Sequence, residues 1–265
     1  DIYKNKNYVN IDAIYKSIQL HIITPNPSYT FDFFLQCWNQ DLEKKLVELY
    51  QPKLILFENN KDYQEEILKK CQEPSDFSGP SQLLAMKKSI ELKETYEKTN
   101  HFTYDVVILY RYDVLLWKDI VLNKYDIKRN IYSSWYYLPE TVGDFHFIMN
   151  SYRASKFKLC YDWITDKNPY GKLPHDFIYR FITYGLHEKI ILDNIYPTID
   201  QDVIRKIHPK RIQLLHKYGI TFSDMKRSKN NTHIYFIDCT VYLVIICSVL
   251  LSYRYQYSYA SWGFY

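Results

Sequence analysis

The stretch Tyr104-Asp-Val-Val-Ile-Leu-Tyr-Arg-Tyr-Asp113 decides the fold class. Its centre, Val106-Val-Ile-Leu109, is apolar at consecutive positions and does not alternate. A strand covered on both faces buries both rows of side chains and needs that pattern. The apolar run continues, so one strand is predicted over 104–116. Arg111 and Asp113 stand near its carboxyl end, and the two-residue period of a strand sends both to the same side.

Outward from this strand, the neighbouring segments supply helices and further strands. Residues 82–98 carry apolar side chains at 83, 84, 86, 90 and 92, a helical rhythm, with Ser81 placed to cap the helix. Residues 31–38 and 53–58 are short and apolar and predict two more strands. Residues 41–50 predict a helix between them, ended by Pro52, and 11–20 another before them. Strand, helix, strand, helix, strand is the order of an α/β fold, a Rossmann-like, mostly parallel sheet flanked by helices. Further along, 130–138 and 144–149 read as strands. Residues 153–165 and 175–184 read as helices around the loop 166–171, and Gly185 suits a helix C-terminus.

The 265 residues suffice for one large domain with a sizeable core. Apolar residues make up 47% and charged residues 24%, which excludes a disordered chain. Six glycines and ten prolines exclude collagen-like and low-complexity classes. The 28 tyrosines accompany many Lys, Asn and Ile residues, a bias of AT-rich coding sequence, and are not taken as a stacking surface. A net charge of +4, with Lys and Arg scattered, lacks the basic stripe of a nucleic-acid binder, so no nucleic-acid partner is expected. Five cysteines without a paired spacing predict reduced thiols in a cytosolic setting and no zinc site.

The last part of the chain differs. Residues 234–253 hold one charge, Asp238, and include Val241-Tyr-Leu-Val-Ile-Ile-Cys-Ser-Val-Leu-Leu251. About 20 apolar residues can cross a bilayer. With Lys226, Arg227 and Lys229 ahead of it, a spanning segment would keep residues 1–230 on the cytoplasmic face. Asp238 is costly in lipid, and a buried β-rich segment fits the same residues. The division expected is therefore an α/β domain over 1–230 and an apolar segment over 231–265, a candidate membrane anchor.

Four groups of residues can carry chemistry. Arg111 and Asp113 lie where α/β sheets bind ligands, outside the carboxyl ends of the strands. An arginine beside a carboxylate there can grip a ribose or a diphosphate, and the carboxylate can also hold a divalent cation; a plain ion pair fits the same residues. Asp144, in Gly143-Asp-Phe-His-Phe147, can serve as a general base or bind sugar hydroxyls, and His146 follows it; a turn fits too. In Pro174-His-Asp176, His175 can meet a diphosphate or a metal, while Asp176 suits a helix cap. Lys87 can reach a phosphate or lie on a solvated helix face with Lys88. No phosphate loop, dinucleotide fingerprint, nucleophile elbow or zincin helix is present in the sequence, which argues against those enzyme classes.

As a set, several blocks resemble one family. They are Tyr15-Lys-Ser-Ile18, His21-Ile-Ile-Thr-Pro-Asn26, Phe31-Asp-Phe-Phe-Leu-Gln-Cys-Trp38, Leu49-Tyr-Gln-Pro-Lys53 and Phe57-Glu58. Lys87-Lys-Ser-Ile-Glu-Leu-Lys93 and the Arg-x-Asp strand 104–113 follow, with Asp144-Phe-His-Phe-Ile148 and Pro174-His175 after them. Over about residues 10–200 the chain is similar to GT-A-like glycosyltransferases of large DNA viruses and of bacterial surface-polysaccharide clusters. The resemblance implies a nucleotide-sugar donor, a glycan acceptor and Mn²⁺ or Mg²⁺. It implies Arg111, Asp113 and Lys87 on the donor, Asp113 on the metal, Asp144 as catalytic residue, and His175 and His146 on the acceptor or diphosphate. It also implies a first, nucleotide-holding strand that would lie ahead of Asp1. Gly79-Pro-Ser-Gln-Leu-Leu84 stands where such enzymes carry an Arg-Trp-Tyr-like segment. A truncated, non-catalytic member that binds glycans or acts as a scaffold is the alternative.

Overall fold

A computed structural model describes residues 11–134, 138–171 and 173–196, together with the backbone of strands Gln201–Val203 and Val241–Val249. Helix α1, Ile11–Ile18, buries Ile11, Ala13, Ile14, Ser17 and Ile18 on one face and runs into a wider turn, Gln19–Ile23. Strand β1 is Tyr29–Cys37, helix α2 Glu43–Tyr50 and strand β2 Leu54–Phe57. Gln51 closes α2 in the left-handed region, at φ 43°. The short helix α3, Gln64–Leu68, precedes the long α4, Ser78–Asn100, which starts three residues ahead of the expected Ser81 cap.

The predicted strand 104–116 is broken. Strand β3 is Val106–Arg111, a turn holds Tyr112 and Asp113, and β4 is Val114–Leu116. The Tyr110 hydroxyl donates to the Val114 carbonyl at 2.7 Å and closes that turn from below. Strands β5, Ile131–Ser133, and β6, His146–Met149, are followed by helix α5, Ser151–Phe157, which Asn150 caps through its side chain. Helix α6 is Pro174–Arg180, with proline in its first turn, where the missing N–H is no loss. A wider turn, Phe181–Gly185, continues it, so Gly185 lies inside rather than past the end. Strands β7, Ile190–Leu192, β8, Gln201–Val203, and β9, Val241–Val249, complete the described elements.

Seven strands form one sheet in the order β2-β1-β9-β3-β6-β5-β7, while β4 pairs with β8 alone. The fold is mixed α/β. The expectation of a mostly parallel sheet does not hold: β1–β2 and β5–β7 are parallel pairs, and the other four neighbouring pairs are antiparallel. The reason is β6, which runs against β3 and β5, together with β9. Strand β9 lies between β1 and β3 and runs against both, from Tyr29↔Val249 to Cys37↔Val241 on one side and Val106↔Cys247 to Arg111↔Tyr242 on the other. β1 and β3 therefore point the same way without touching. Among the described residues, no helix is long and apolar enough to cross a membrane. The residues of 234–253 flanking β9 lie outside the described residues.

Each face of the sheet carries its own core. On one side α1 and α2 pack Ile14, Ile18, Leu46 and Tyr50 on Phe33, Leu35, Ile108 and Tyr110. On the other, α4, α5 and α6 pack Leu83, Met86, Ile90, Phe157 and Phe177 on Phe34, Val107, Leu109 and Phe147. The alternation along β3, even residues to one core and odd to the other, is the two-sided burial that the uniform apolar run required.

Candidate functional site

The site lies at the carboxyl end of β3, where strand order brings β3, the start of β6 and the amino-terminal part of α4 together. Arg111 is the last residue of β3. Its Nε and Nη2 donate to the two oxygens of Asp113 at 3.1 and 3.0 Å, and its Nη1 donates to Asp144 Oδ2 at 2.8 Å. The turn at Tyr112 and Asp113 lets the arginine fork grip a carboxylate only two residues away. Gln82, on α4, donates its amide to the same Asp144 oxygen at 2.8 Å. Asp144 is 2% exposed, and its Oδ1 has no hydrogen-bond partner. Burial pushes the Asp144 carboxyl up, but the charges of Arg111 and His175 and the hydrogen bonds from Gln82 and Arg111 outweigh it and hold the carboxyl below the usual range.

His175 closes the site from α6. Its Nδ1 lies 2.9 Å from the Val142 carbonyl and 3.8 Å from Asp144 Oδ1. The Val142 N–H donates back to the His175 carbonyl at 3.2 Å. Between Val142 and Asp144, Gly143 donates its N–H to the Ser134 carbonyl at 2.9 Å and accepts from the Ser133 hydroxyl at 2.6 Å. A Cβ on Gly143 would stand 1.9 Å from Ser134 Oγ, so the strap 142–144 lies that close to β5 only because this residue has no side chain. Tyr170 packs over Gly79 in the same way, at a distance no Cβ could share. Burial first, then the Asp144 charge, pushes the Tyr170 phenol up.

Arg111, Asp113, Asp144 and His175 are thus brought together. Lys87 and His146 are not. Lys87 pairs with Asp162 at 2.8 Å, and Lys88 with Glu58 and Tyr63. His146 is buried against the other core and bonds Asp193 Oδ2 through Nε2 at 2.8 Å. The bend at Asp144 and Phe145 separates two residues that a continuous strand over 144–149 would have kept on one side. Asp176 does not cap α6: Leu173 holds that position without a side-chain bond, and Asp176 lies 3.6 Å from Arg180. Gln82 and the Val142 carbonyl had no sequence signal, one being a polar residue in an apolar helix and the other a backbone group.

A divalent cation does not fit this arrangement. Both oxygens of Asp113 are held by Arg111, and a guanidinium in that place repels a metal ion. Among the described residues no three His, Cys, Asp or Glu side chains gather in a way that could hold a metal. The cluster places two carboxylates against one guanidinium, with an imidazole beside them, so it favours a hydrogen-bond donor at the buried Oδ1 of Asp144, which has no partner.

Comparison with models of protein families, with curated proteins and with solved structures returns no match.

Proposed function

We propose that this chain is a glycosyltransferase that moves a sugar from a nucleotide donor to a glycan or glycoconjugate acceptor. The observation that carries the reading is Asp144 Oδ1, a buried carboxylate oxygen without a hydrogen-bond partner at the carboxyl rim of a helix-flanked sheet. Such rims are where α/β folds bind ligands. A buried acceptor of this kind is costly unless a donor group meets it, and sugar hydroxyls are such donors. In this reading Arg111 supplies the positive charge for the donor diphosphate, Asp113 holds its guanidinium in plane, and Asp144 and His175 face the hydroxyls. No step is assigned to Mn²⁺ or Mg²⁺, because the donor set does not suit them.

A second reading is favoured by one observation. Arg111 already commits Nε and both terminal nitrogens to two carboxylates, which weakens it as a diphosphate clamp. A glycan-binding or scaffold protein without turnover would keep the hydroxyl-binding carboxylate and dispense with the clamp. The two separate by melting temperature in a panel of nucleoside diphosphates and by hydrolysis of the corresponding nucleotide sugars. The enzyme predicts a rise with at least one nucleotide, and turnover that falls in Asp113→Asn. Equal turnover in wild type and Asp113→Asn ends the role given to Asp113. Absence of any nucleotide shift favours the glycan binder.

A further inference from the structure

Asp144 Oδ1 has no hydrogen-bond partner, yet its residue is only 2% exposed. A ligand that is to bond this oxygen must displace something first. Most of what surrounds it is tied down. Arg111 is bonded twice to Asp113 and once to Asp144, and Gln82 reaches Asp144 from the long helix α4. The strap 142–144 is bonded to both α6 and β5.

Residues 165–171 are held more lightly. Thr165 and Asn168 bond each other, N–H to carbonyl in both directions, at 3.1 and 3.0 Å. Among the described residues, one hydrogen bond joins this segment to another element, the exposed contact of Arg180 Nη2 with the Pro169 carbonyl at 3.3 Å. Asp166 and Lys167 are exposed, and Gly171 ends the segment at φ 77°, a left-handed geometry that suits a hinge. What holds the segment down is the buried side chain of Tyr170.

Tyr170 sits in a notch made by a missing side chain. Its hydroxyl oxygen, Cζ and Cε1 lie 1.7, 2.1 and 2.6 Å from where a Cβ on Gly79 would stand. Gly79 belongs to the first turn of α4. Gln82, three residues on, shares its side of the helix and carries the bond to Asp144. The Tyr170 ring also lies 5.5 Å from that of Phe177, two residues beyond His175 on α6. The phenol is thus wedged between the two helices that supply Gln82 and His175. Burial, and after it the charge of Asp144 ahead of those of Asp176 and Asp76, pushes this phenol up, which fits its place beside the carboxylate.

We propose that residues 165–171 form a lid over the Asp144 carboxylate, with Tyr170 as the latch and Gly79 as its seat. The lid is shut while the phenol fills the notch and keeps water from Oδ1. It admits a ligand when the phenol leaves the notch and the segment turns about Gly171. Few bonds break in that step, and lightly bonded segments open first. The lid serves any ligand that brings a hydrogen-bond donor to Asp144, so its test uses neither nucleotide nor sugar and stands apart from the glycosyl-transfer reading.

The measurement is the reach of a carbodiimide with glycine ethyl ester to the carboxylates of the full chain, read by peptide mass spectrometry. In wild type the exposed Asp166 should be labelled, while Asp144 and Asp193 are protected. Gly79→Ala fills the seat, and should raise labelling of Asp144 relative to Asp166 about tenfold with Asp193 still protected. Tyr170→Ala removes the latch and should do the same, so either variant carries the test if the other fails to fold. Ready labelling of Asp144 in wild type overturns the lid, as does continued protection of Asp144 in the folded variants. Labelling of Asp144 and Asp193 together overturns it too, because the sheet has then loosened as a whole. Amide hydrogen exchange on wild type gives an arm without substitutions. The bonded amides of Thr165 and Asn168 should exchange about 100-fold faster than those of β3, and equal protection overturns the proposal.

Discussion

Two buried carboxylate–imidazole pairs flank the same end of the sheet, and they differ in how many elements hold them. Asp144 and His175 are tied by β3 through Arg111, by α4 through Gln82 and by the strap 142–144. His146 and Asp193 are tied by β5, whose Ser133 carbonyl accepts the Asp193 N–H at 2.8 Å, and by Tyr125 and the Ile195 N–H on Asp193. The first pair carries a guanidinium and a partnerless carboxylate oxygen. Among the described residues no arginine bonds the second, and its atom without a hydrogen-bond partner is His146 Nδ1. The contrast teaches that a buried acid beside a base is a common way to close a sheet edge. What marks a candidate site is an additional fixed charge together with an oxygen left to accept.

Asp144→Ala should break the first pair at the largest cost, about 3 kcal/mol. It takes one carboxylate from Arg111 and one acceptor from Gln82. Urea denaturation at neutral pH measures it. The acid limb should report the same group. Because the folded state holds the Asp144 carboxyl down, its contribution is complete above the ordinary aspartate value near ~4 and is lost as pH falls through the depressed one. Wild type should therefore lose stability more steeply than Asp144→Ala below about pH 4. Parallel acid limbs would show that the carboxylate is not held as an anion.

His146→Leu should cost less, about 2 kcal/mol, through the hydrogen bond taken from Asp193. It should leave any nucleotide-induced thermal shift unchanged, because this pair serves the opposite face. A lost shift would join the two regions that the fold keeps apart. Gly143→Ala should cost about 1–3 kcal/mol by pushing the strap off Ser134. It should also reduce ligand binding, since Asp144 moves with the strap; full binding in that variant would mean the strap does not set the site. Lys87→Ala should be nearly silent, within about 0.5 kcal/mol, as its pair with Asp162 is partly exposed and screened.

How far the fold was legible follows from these elements. The run Val106-Val-Ile-Leu109 announced a strand covered on both faces, and its odd and even residues do divide between two cores. The turn at Tyr112 and Asp113 was not legible, because its one turn-forming residue, Asp113, lies inside an apolar run that continues to Leu116 without glycine or proline. Strand directions were lost to β6, which runs against both its neighbours, and to β9. Its uniformly apolar sequence suits a central strand as well as a lipid span, and pairing with β1 across such a sequence distance leaves no local mark. At the site, Arg111 and Asp113 were visible as charges ending an apolar strand. Asp144 and His146 looked alike until the bend between them sent one to each face. Gln82 lies in a helix whose apolar rhythm gave no reason to single it out.

The place of β9 has a consequence for how the polypeptide acquires its shape as it is made. Ribosomes deliver β1, β2, β3, β5, β6 and β7 well before Val241–Val249 emerges. In the finished sheet β9 is the sole link between β2-β1 and β3-β6-β5-β7, so until it emerges any part-sheet already formed lacks the partner of its inner edge. Exposed edges of that kind recruit other strands. Between translation of Arg111 and of Val249 the β3 edge is without β9, and slowing synthesis beyond residue 203 should lengthen that interval and raise aggregation of the nascent chain.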